Sequence, residues 1–519
     1  MSTTQPVTRR TTRVSLLRLT VVAVVAGALV WATGHAVSAA IARVTPPGAT
    51  TFAPYVDVTA TPTYPFETPA GPAQSQVTLA FIVSRTSDAC VPTWGGYYNM
   101  TEADQQLQLG RRIAQLRLTG GDVRISFGGQ RGVELATSCT DPAALADAYR
   151  SVVSTYHVAS IDFDLEGVGL DDRLAMLRRA TAIRAVQLTE SAAGRHLAVW
   201  LTLPVSPTGL TDSGKAAVAT MLSAGVEVAG VNGMTMDFGQ TTTTAQPEST
   251  LIIQAATALQ SQVMTAFHAA GFPLDEAQAW SKVGITPMIG QNDVLGERFT
   301  LADAAVVNQF VRARSIGLLS MWSLNRDATC TSPLPSQLTV VQTSCSGLDQ
   351  AGNSYAIALW QDLDQAPTTT EQASVPTASG VPTSTPTAAT PAVDDPAHSP
   401  FPVWDPYGTY PGGTNIVWHH NVYQARFWTT GVTPDMTGLD PGSMPWKLVG
   451  PVLPGDTPAP LPTLPAHTYP TWSPTQAYTA GSRVQVGLVP YVAKWWTQGQ
   501  QPGITVPGGS PWLLVPISN

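Results

Sequence analysis

The chain has 519 residues, a formal net charge of -8 and only 12% charged residues. This length exceeds a single ordinary core and predicts two or more domains. The charge balance provides no basic patch for nucleic acid and no acidic tail, so nucleic acid is excluded as a partner and neutral partners are favoured.

The N-terminal segment, residues 1–42, has the pattern of an export signal. A basic stretch ending at Arg18 precedes an apolar run over residues 19–33, and Ala39 ends a small-residue cleavage motif. Because weakly polar residues continue the run, residues 19–42 are also long enough to span a bilayer. We expect a secreted, extracellular protein, with an uncleaved membrane anchor at the cell surface as the alternative.

Four cysteines fit an oxidising compartment. Cys90 and Cys139 lie in the first third of the chain, and Cys330 and Cys345 lie close together further on. Two local disulfides, one in each of these pairs, are the simplest of the three connectivities that four cysteines allow. No C-x-x-C or His-rich spacing indicates zinc, so we expect neither a metal nor a cofactor.

Residues 48–363 alternate short apolar strands with helical stretches, which is typical of a parallel α/β fold. The eight predicted strands are Phe52–Val58, Val77–Val83, Val123–Phe127, Ser160–Leu165, Leu197–Leu203, Val231–Phe238, Val283–Ile289 and Leu318–Leu324. The predicted helices are Thr101–Leu118, Pro142–Tyr156, Asp171–Ser191, Asp212–Ala224, Thr250–Ala270 and Leu301–Arg314. This succession predicts a (β/α)8 TIM barrel with its active site at the C-terminal ends of the strands. An open doubly wound sheet is less favoured, because no glycine-rich phosphate loop follows the first strand.

The fourth predicted strand carries three acids, within the stretch S-I-D-F-D-L-E-G. The period of two places Asp162, Asp164 and Glu166 on one face. Like charges at this spacing repel and burial makes each one more costly, so at least one acid should hold its proton near neutral pH. A protonated acid beside ionised partners is what glycosidic-bond cleavage requires. A Ca²⁺ or Mg²⁺ site, or a solvated edge strand, is the alternative.

This stretch resembles the D-x-x-D-x-D-x-E signature of glycoside hydrolase family 18, the chitinase family, with Ala159 in place of the first acid. The resemblance implies a retaining, substrate-assisted mechanism with Glu166 as general acid/base. It implies that Asp164 orients and stabilises the N-acetyl group of the substrate. Asp162 would be the inner carboxylate that shares charge or a proton with Asp164.

Other strand ends carry further motifs of the same family. The sequence S-F-G-G at residues 126–129 matches S-x-G-G, and M-T-M-D at residues 234–237 resembles M-x-Y-D. Met236 stands where the family has tyrosine, whose hydroxyl would support the acetamido carbonyl, so that support is absent or comes from a neighbour. Asp237 would bind substrate from a bend or a loop. Trp322 matches the strand-eight tryptophan that forms the floor of the sugar subsite.

Further candidate subsite contacts lie at strand ends, namely Tyr55, Asp57, Gln130 and Asn292. For Met236 and Trp322, packing in the core is the alternative. Taken together, the motifs follow the order along the chain that the family requires. The pairing of S-I-D-F-D-L-E-G with M-T-M-D looks most similar to a bacterial and archaeal branch of chitinases.

The C-terminal third contains two linkers and an internal repeat. Residues 364–400 are rich in Thr, Pro and Ala and predict an extended linker, and residues 453–470 form a second, Pro-rich one. They delimit two copies, residues 401–452 and 471–519. Eight positions recur 68 residues later: Trp404, Tyr410, Gly413, Tyr423, Ala425, Trp428, Gly431 and Pro434. Each copy predicts a few short strands packed on its aromatic residues.

The second copy contains Y-V-A-K-W-W-T-Q-G, which resembles the signature of small chitin-binding modules of carbohydrate-binding families 5 and 12. The resemblance implies that chitin is bound by Tyr491, Trp495 and Trp496, and in the first copy by Tyr423 and Trp428. Strand alternation predicts that Trp495 and Trp496 point to opposite faces, one into the core and one to solvent. Two purely structural modules are the alternative.

The combined hypothesis is a secreted, monomeric chitinase that hydrolyses β-1,4 linkages between N-acetylglucosamine units. Its expected partners are chitin and chito-oligosaccharides, with no protein partner. An endo-β-N-acetylglucosaminidase on other glycans and a non-catalytic chitin-binding lectin are the alternatives. The tandem modules count against the first alternative, and the presence of Glu166 counts against the second.

Overall fold

The computed structural model describes residues 50–239, 246–294, 296–330, 341–363, 394–406, 408–436, 443–458, 461–503 and 510–515. The predicted export segment and most of the first predicted linker lie outside these residues. Within the described ranges, none of the helices combines the length and the hydropathy needed to cross a membrane.

The first part of the chain alternates strands and helices. Its strands are β1 (Thr51–Phe52), β2 (Tyr55–Asp57), β3 (Gln76–Arg85), β4 (Asp88–Trp94), β5 (Asp122–Gly128), β6 (Ser160–Asp164), β7 (Ala198–Ser206), β8 (Gly209–Leu210), β9 (Val228–Met234), β10 (Val283–Thr286), β11 (Gly290–Gln291), β12 (Arg298–Phe299) and β13 (Leu318–Leu319). Its helices are α1 (Met100–Gln106), α2 (Leu109–Leu118), α3 (Leu135–Ser138), α4 (Pro142–Tyr156), α5 (Gly167–Asp171), α6 (Arg173–Ala192), α7 (Asp212–Ser223), α8 (Glu248–Ala269), α9 (Glu276–Ser281), α10 (Leu301–Arg314) and α11 (Tyr355–Trp360). Short 3₁₀ helices occupy Pro72–Gln74, Leu324–Arg326 and Pro396–His398.

The parallel strands form a closed (β/α)8 barrel, as predicted. Their order is β1-β13-β10-β9-β7-β6-β5-β3-β2. The two ends of this order are consecutive in sequence, because β1 pairs with β13 while β2 pairs with β3. The N–H of Tyr55 donates to the carbonyl of Met321 at 3.0 Å, which continues the contact across the seam. All eight predicted barrel strands are therefore found, the first one interrupted between β1 and β2.

The faces of β6 explain its alternating sequence. Ile161 and Phe163 are fully buried between the sheet and the surrounding helices. Phe163 stacks on Phe127 of β5 at 5.3 Å and meets the edge of Tyr149 of α4 at the same distance. The acids on the opposite face therefore point into the barrel.

Two helices match their predicted bounds, and their capping residues show why. Asp141 caps α4 by accepting the N–H groups of Ala143 and Ala144, with a proline in the first turn. Thr300 caps α10 through a reciprocal capping box with Asp303. Side-chain acceptors of this kind satisfy N–H groups that have no partner in the helix, so the start of each helix is encoded locally.

Some predicted elements are wrong in detail. The single predicted helix over residues 101–118 is two helices, because Gln108 adopts a left-handed conformation (φ 53°) and Asp104 accepts the N–H of Gly110 at 2.9 Å. Strand β4, which pairs antiparallel with β3, was not predicted. The sixth predicted strand ends at Met234, and the seventh and eighth end at Thr286 and Leu319, because all three leave the sheet where the loops of the cleft begin.

Both predicted disulfides are confirmed. Cys90 of β4 is bonded to Cys139, which follows α3, and Cys330 is bonded to Cys345. The first bond ties the additional hairpin to the loop after β5. The second closes a short loop after the last barrel strand. Both bonds therefore support loops at the C-terminal side of the barrel.

Two small β modules follow the barrel, and the repeat in sequence is a repeat in structure. The first contains β14 (Thr409–Tyr410), β15 (Asn415–Trp418), β16 (Asn421–Ala425), β17 (Thr429–Thr430) and β18 (Trp446–Pro451). The second contains β19 (Ala477–Tyr478), β20 (Arg483–Val486), β21 (Val489–Ala493), β22 (Thr497–Gln498) and β23 (Trp512–Leu514). Each copy has one three-stranded and one two-stranded antiparallel sheet with the same pairing. Trp446 and Trp512 close the two cores against Tyr410 and Tyr478.

The modules extend into the predicted linkers. Asp394, placed by sequence in the first linker, accepts the backbone N–H groups of His419 and His420 at 2.7 and 2.6 Å. In the second linker, the N–H of Leu464 donates to the carbonyl of Leu488 at 2.8 Å. These linker residues therefore belong structurally to the modules they precede.

Candidate active site

The three acids lie at the C-terminal end of β6, at the centre of the barrel mouth. Asp162 and Asp164 are buried, while Glu166 lies two residues after the end of the strand and is partly exposed. The sheet register aligns Ser126 of β5 with Asp162 and Thr202 of β7 with Asp164. The pattern seen in the sequence therefore corresponds to one cluster at the expected end of the barrel.

Asp162 is the innermost acid and is held by three hydroxyl groups. Tyr55 and Ser126 donate to its Oδ2, and Thr202 donates to its Oδ1, each at 2.7 Å. Burial raises the pKa of Asp162, while these hydrogen bonds and the charge of Arg124 oppose the increase. The orientation of the carboxylate is thus fixed by side chains from three other strands, β2, β5 and β7.

Asp164 and Glu166 form a hydrogen-bonded carboxyl pair. Burial, followed by the charges of Glu166 and Asp162, raises the pKa of Asp164 well above its usual range. Burial also raises the pKa of Glu166, with added contributions from Asp237 and Asp293, although the hydrogen bond from Asp164 opposes it. Burial and the two neighbouring carboxylates therefore favour the protonated form of Asp164.

One oxygen of this pair is left without a protein partner. Asp164 Oδ1 is buried and has no hydrogen-bond partner among the described residues. Just behind it, Gly128 has a φ of 101° and lies so close that a Cβ there would collide with the carbonyl oxygen of Asp164. The N–H of Gly129 donates to that same carbonyl at 2.9 Å. The Gly-Gly pair thus lets β5 approach the acid strand closely.

A buried cation lies one layer deeper in the barrel. Arg124 Nε donates to Ser160 Oγ at 2.9 Å, and its guanidinium lies 5.3 Å from the ring of Trp200. Burial lowers the pKa of Arg124, and the charge of Asp162 opposes this. Ala159 stands where the family signature has its first acid, so this position adds no negative charge next to Arg124.

The polar layer continues around the barrel through residues that sequence reasoning missed. Asn232 of β9 donates to Thr202 at 3.0 Å and to Thr286 of β10 at 2.7 Å. All three are buried. Their signal in the sequence is a polar residue at an inward position of an otherwise apolar strand, and it becomes interpretable only when the register is known.

Asp237 lies on a bend after β9, as its place in the sequence required. Its φ of 53° marks a left-handed conformation. Its N–H donates to Asn292 Oδ1 at 3.3 Å, and its Oδ1 accepts the N–H of Val294 at 2.9 Å. Burial raises the pKa of Asp237, and the charges of Asp293 and Glu297 add to this effect. The loop after β10 therefore holds the acid in place.

These side chains surround a cleft of about 300 Å³. Its lining comprises Tyr55, Phe81, Gln130, Asp164, Glu166, Gly167, Thr202, Pro204, Val205, Met234, Met236, Asp237, Thr286, Met288, Asp293 and Trp322. Trp322 stacks on Phe81 with ring centroids 5.4 Å apart, and the ring of Tyr55 lies 5.9 Å from Trp322. The cleft therefore joins an aromatic wall to a carboxylate wall.

Five of the seven barrel residues predicted to contact substrate line this cleft, including Met236 and Gln130. Phe81 and Asp293 also line it and were not predicted. Asp57 and Asn292 make internal hydrogen bonds instead. Asp57 Oδ1 accepts from the N–H and hydroxyl of Thr59, and Asn292 Nδ2 donates to the carbonyl of Met288. Within the described ranges, no group of three or more His, Cys, Asp or Glu side chains could hold a metal ion.

The aromatic residues of the modules do not follow the predicted alternation. Trp495 and Trp496 are 45% and 61% exposed, so the prediction that one of them fills the core is wrong. Strand β21 ends at Ala493, and the period of two does not extend past it. Tyr491 instead belongs to the core and is only 8% exposed.

The first module presents a similar aromatic pair. Phe427 is 47% exposed and Trp428 is 62% exposed. Tyr423, the counterpart of Tyr491, packs partly buried against the core around Trp446. Each module therefore carries two adjacent exposed aromatic side chains next to the end of its central strand.

A closed (β/α)8 barrel with a hydrogen-bonded carboxyl pair at the mouth is typical of glycoside hydrolases. Comparison with known proteins indicates which glycoside hydrolases this chain is similar to. The chain is 37% identical over 252 residues to the "Probable bifunctional chitinase/lysozyme" of Escherichia coli, an alignment covering 48% of this chain and 28% of the relative. It is 34% identical over 272 residues to "Endochitinase 11" of Metarhizium anisopliae, covering 51% of this chain and 49% of the relative. The chain thus spans half or less of the length of these curated relatives. No protein-family model matches the chain.

Solved structures agree with the sequence relatives. Active domain 2 of the chitinase from Pyrococcus furiosus is 27% identical and superposes with a TM-score of 0.52, over 62% of this chain and 99% of the solved one. That domain has also been solved in complex with chito-oligosaccharides, with 27% identity and a TM-score of 0.51. The barrel is therefore similar in fold and sequence to catalytic domains of chitinases, which are glycoside hydrolases.

Proposed function

We propose that this protein is a secreted chitinase that hydrolyses β-1,4 linkages between N-acetylglucosamine units with retention of configuration. The observation that carries the proposal is the Asp164–Glu166 carboxyl pair, which shares one proton at the floor of an aromatic-lined cleft. Similarity to a solved chitinase domain over 62% of this chain, and to an endochitinase over 272 residues, supports the choice of substrate.

Glu166 is the general acid in this proposal. Burial raises the pKa of Glu166, which favours its protonated form, and the protonated form of its neighbour Asp164 is favoured as well. When the glycosidic oxygen approaches, Glu166 donates the proton to it and the bond to the anomeric carbon breaks. The 2-acetamido oxygen of the substrate attacks that carbon and gives an oxazolinium ion. Glu166 then takes a proton from the water that opens this ring.

Asp164 supports this intermediate. Once its proton has passed to Glu166, the Asp164 carboxylate faces the cleft with an oxygen that has no partner in the described part of the chain. That oxygen is suited to accept the acetamido N–H and to stabilise the developing positive charge. Asp162 is held behind it by three hydroxyl donors, and the negative charge of Asp162 contributes to the raised pKa of Asp164.

The other cleft residues bind the sugar rings. The indole of Trp322, backed by Phe81, offers a flat apolar face for the C–H face of a pyranose. Asp237 and Asp293 are carboxylates on the opposite wall and accept hydrogen bonds from sugar hydroxyls. Met236 provides no hydroxyl, so the acetamido group is held chiefly by Asp164.

The two modules hold the enzyme on insoluble chitin. Exposed adjacent aromatics on so small a domain cost stability, and stacking on a polysaccharide surface accounts for them. Two modules on one chain raise the effective concentration at that surface without new contacts. Export through residues 1–42 delivers the enzyme to its extracellular substrate.

The test compares the full chain with its Glu166→Gln variant on colloidal chitin. We expect the wild type to release reducing chito-oligosaccharides and the variant to be slower by at least ~10²-fold. Both should sediment equally with chitin, because the modules are unchanged. If neither protein cleaves while both sediment, the protein is a chitin-binding lectin and the catalytic assignment fails.

Peptidoglycan is a second candidate substrate, because one relative carries the name of a bifunctional chitinase/lysozyme. Peptidoglycan also contains β-1,4-linked sugars with 2-acetamido groups, which substrate assistance requires. Measuring release of reducing ends from purified peptidoglycan with the same two proteins decides this point. Cleavage that depends on Glu166 would add this activity, and absence of cleavage would restrict the enzyme to chitin.

A further inference from the structure

A buried carboxylate of the barrel is shared with the first module. Lys447 Nζ of β18 lies 2.9 Å from Glu67 Oε1. Arg112 of α2 donates through Nε to the other oxygen, Glu67 Oε2, at 2.8 Å. Glu67 is fully buried. Its charge is therefore balanced by one cation from the barrel and one from the module, which is what a buried ion requires.

A second ion pair lies beside the first. Arg111 of α2 approaches Asp456 with Nη1 2.9 Å from Oδ2, and the same nitrogen donates to the carbonyl of Pro451. Arg111, Arg112 and Gln115 are each less than 10% exposed, although they lie on a helix at the outside of the barrel. Long polar side chains on an outer helix are normally solvated, so their burial indicates that the module covers this face.

The backbones fit closely at the same place. A Cβ at Gly450 of β18 would lie 2.5 Å from the carbonyl oxygen of Arg111 and 3.0 Å from the Cβ of Gln115. Any larger residue at position 450 would push the strand away from α2. The contact thus combines charge complementarity with a shape that only glycine allows.

The second module lacks the groups that make this contact. In the repeat, Trp446 corresponds to Trp512, so Leu513 stands where the first module has Lys447. Leu513 is 52% exposed. The docking groups are therefore a property of the sequence of the first module, and the shared fold does not provide them.

The contact lies at the same end of the barrel as the cleft. Glu67 belongs to the loop that follows β2, and Arg111 and Arg112 lie in the first turn of α2. Arg112 also donates to the carbonyl of Tyr64, and Asp327, which follows the last barrel strand, helps to raise the pKa of the Tyr64 hydroxyl. Loops after strands gather at the C-terminal face, where the active site of such a barrel lies.

We propose that the first module is docked on the barrel in solution through these ion pairs and is a fixed part of the catalytic body. Its exposed Phe427 and Trp428 then keep one orientation relative to the cleft. The second module has no equivalent anchor in the described residues. This inference does not depend on the substrate, because it concerns a contact within the chain.

Hydrogen exchange on the full chain tests the docking. The variant carries Lys447→Glu and Asp456→Lys, which places like charges opposite Glu67 and Arg111 and leaves the barrel sequence unchanged. We expect amides of α2 and of β18 to exchange at least about tenfold faster than in the wild type. The matched control, Leu513→Glu, alters the corresponding position of the second module and should leave α2 unchanged.

Two outcomes would overturn the proposal. One is α2 exchange in the wild type that is already as fast as in the double variant. The other is an equal change caused by Leu513→Glu. Exchange at β15 and β16 is followed in parallel, because unchanged protection there shows that the first module is still folded. If those strands lose protection, the single variant Asp456→Lys, at the edge of the module, replaces the double variant with the same expected direction.

Discussion

The cleft of the barrel and the aromatic pairs of the modules place their functional groups in opposite environments. In the cleft, Asp162 and Asp164 are carboxyl groups that have been removed from water. On the modules, Trp428 and Trp496 are large apolar rings that are more than 60% exposed to water. Burying charge and exposing apolar surface are both unfavourable for a folded protein.

The two regions also differ in what holds their groups. Asp162 receives three hydrogen bonds from three strands, so its position is fixed to the geometry of the sheet. Trp496 lies in the short segment between β21 and β22 and makes no ring contact with another aromatic side chain in the described part of the chain. Chemistry at one atom needs a fixed donor, whereas adhesion to a flat lattice needs only an accessible face. Each region therefore gives up stability for a different purpose.

Among the variants that test this comparison, the largest expected effect separates adhesion from chemistry. Replacing Trp495 and Trp496 together by alanine should weaken binding of the full chain to insoluble chitin by roughly tenfold, because the two rings supply most of the apolar contact area of that module. Hydrolysis of a soluble chito-oligosaccharide should be unchanged, since the cleft is intact. Sedimentation with chitin and a soluble-substrate assay measure the two quantities.

The matched control is Phe427→Ala with Trp428→Ala in the first module. A phenyl ring offers less area than an indole, so this loss should be the smaller of the two. If either variant lost as much soluble-substrate hydrolysis as it lost chitin binding, adhesion and chemistry would not be separate, and the comparison would fail.

The same contrast explains what the sequence could and could not predict. The eight strands, the helix starts at Pro142 and Leu301 and the acids of β6 were predicted because hydrophobic period, caps and spacing are local properties. Phe81, Thr202 and Asp293 were missed as cleft residues because they come from three different strands or loops. Their meeting depends on register and loop path, which no local pattern encodes.

In the modules, the sequence identified the functional residues but not their burial. The aromatic pair was found from sequence, but its environment was predicted wrongly. Alternation was extended past Ala493 because the end of a strand leaves no strong signal in Lys-Trp-Trp. A buried ring was expected at either Trp495 or Trp496, whereas Tyr478 and Trp512 fill the core. Which aromatic is buried is decided by the whole module, so a local period could not determine it.

A smaller effect concerns the acid wall of the cleft. The charge of Asp293 helps to raise the pKa of Glu166, after burial and Asp237. Asp293→Asn should therefore lower the pKa of Glu166, so that the acid loses its proton at lower pH. The alkaline limb of kcat/KM should move to lower pH, with roughly twofold less activity than the wild type on that limb. A pH profile on a soluble chito-oligosaccharide measures the shift.

The control for this variant is Asp147→Asn, which removes an exposed carboxylate on α4 that does not act on Glu166. Its pH profile should coincide with that of the wild type. A shift of the Asp293→Asn limb to higher pH would contradict the electrostatic account of Glu166.

The smallest expected effect tests whether the buried carboxyl pair costs stability. The pKa of Asp164 is raised in the folded protein, mainly by burial, so the folded state binds this proton more tightly than the unfolded state. Its contribution to stability is present below the unfolded pKa and is lost as the pH rises through the folded pKa. Asp164→Asn removes this titration and keeps the shape.

The midpoint of thermal unfolding of Asp164→Asn should therefore exceed that of the wild type by roughly 2 °C at pH 7, and the difference should shrink towards pH 4. The conservative exchange Trp495→Phe on the module should leave the midpoint unchanged at both pH values, because an exposed ring does not titrate or support the core. A wild type that is more stable than Asp164→Asn at pH 7 would mean that the carboxyl pair stabilises the barrel. In that case only the exposed aromatic residues of the modules would cost stability, and the buried acids of the cleft would not.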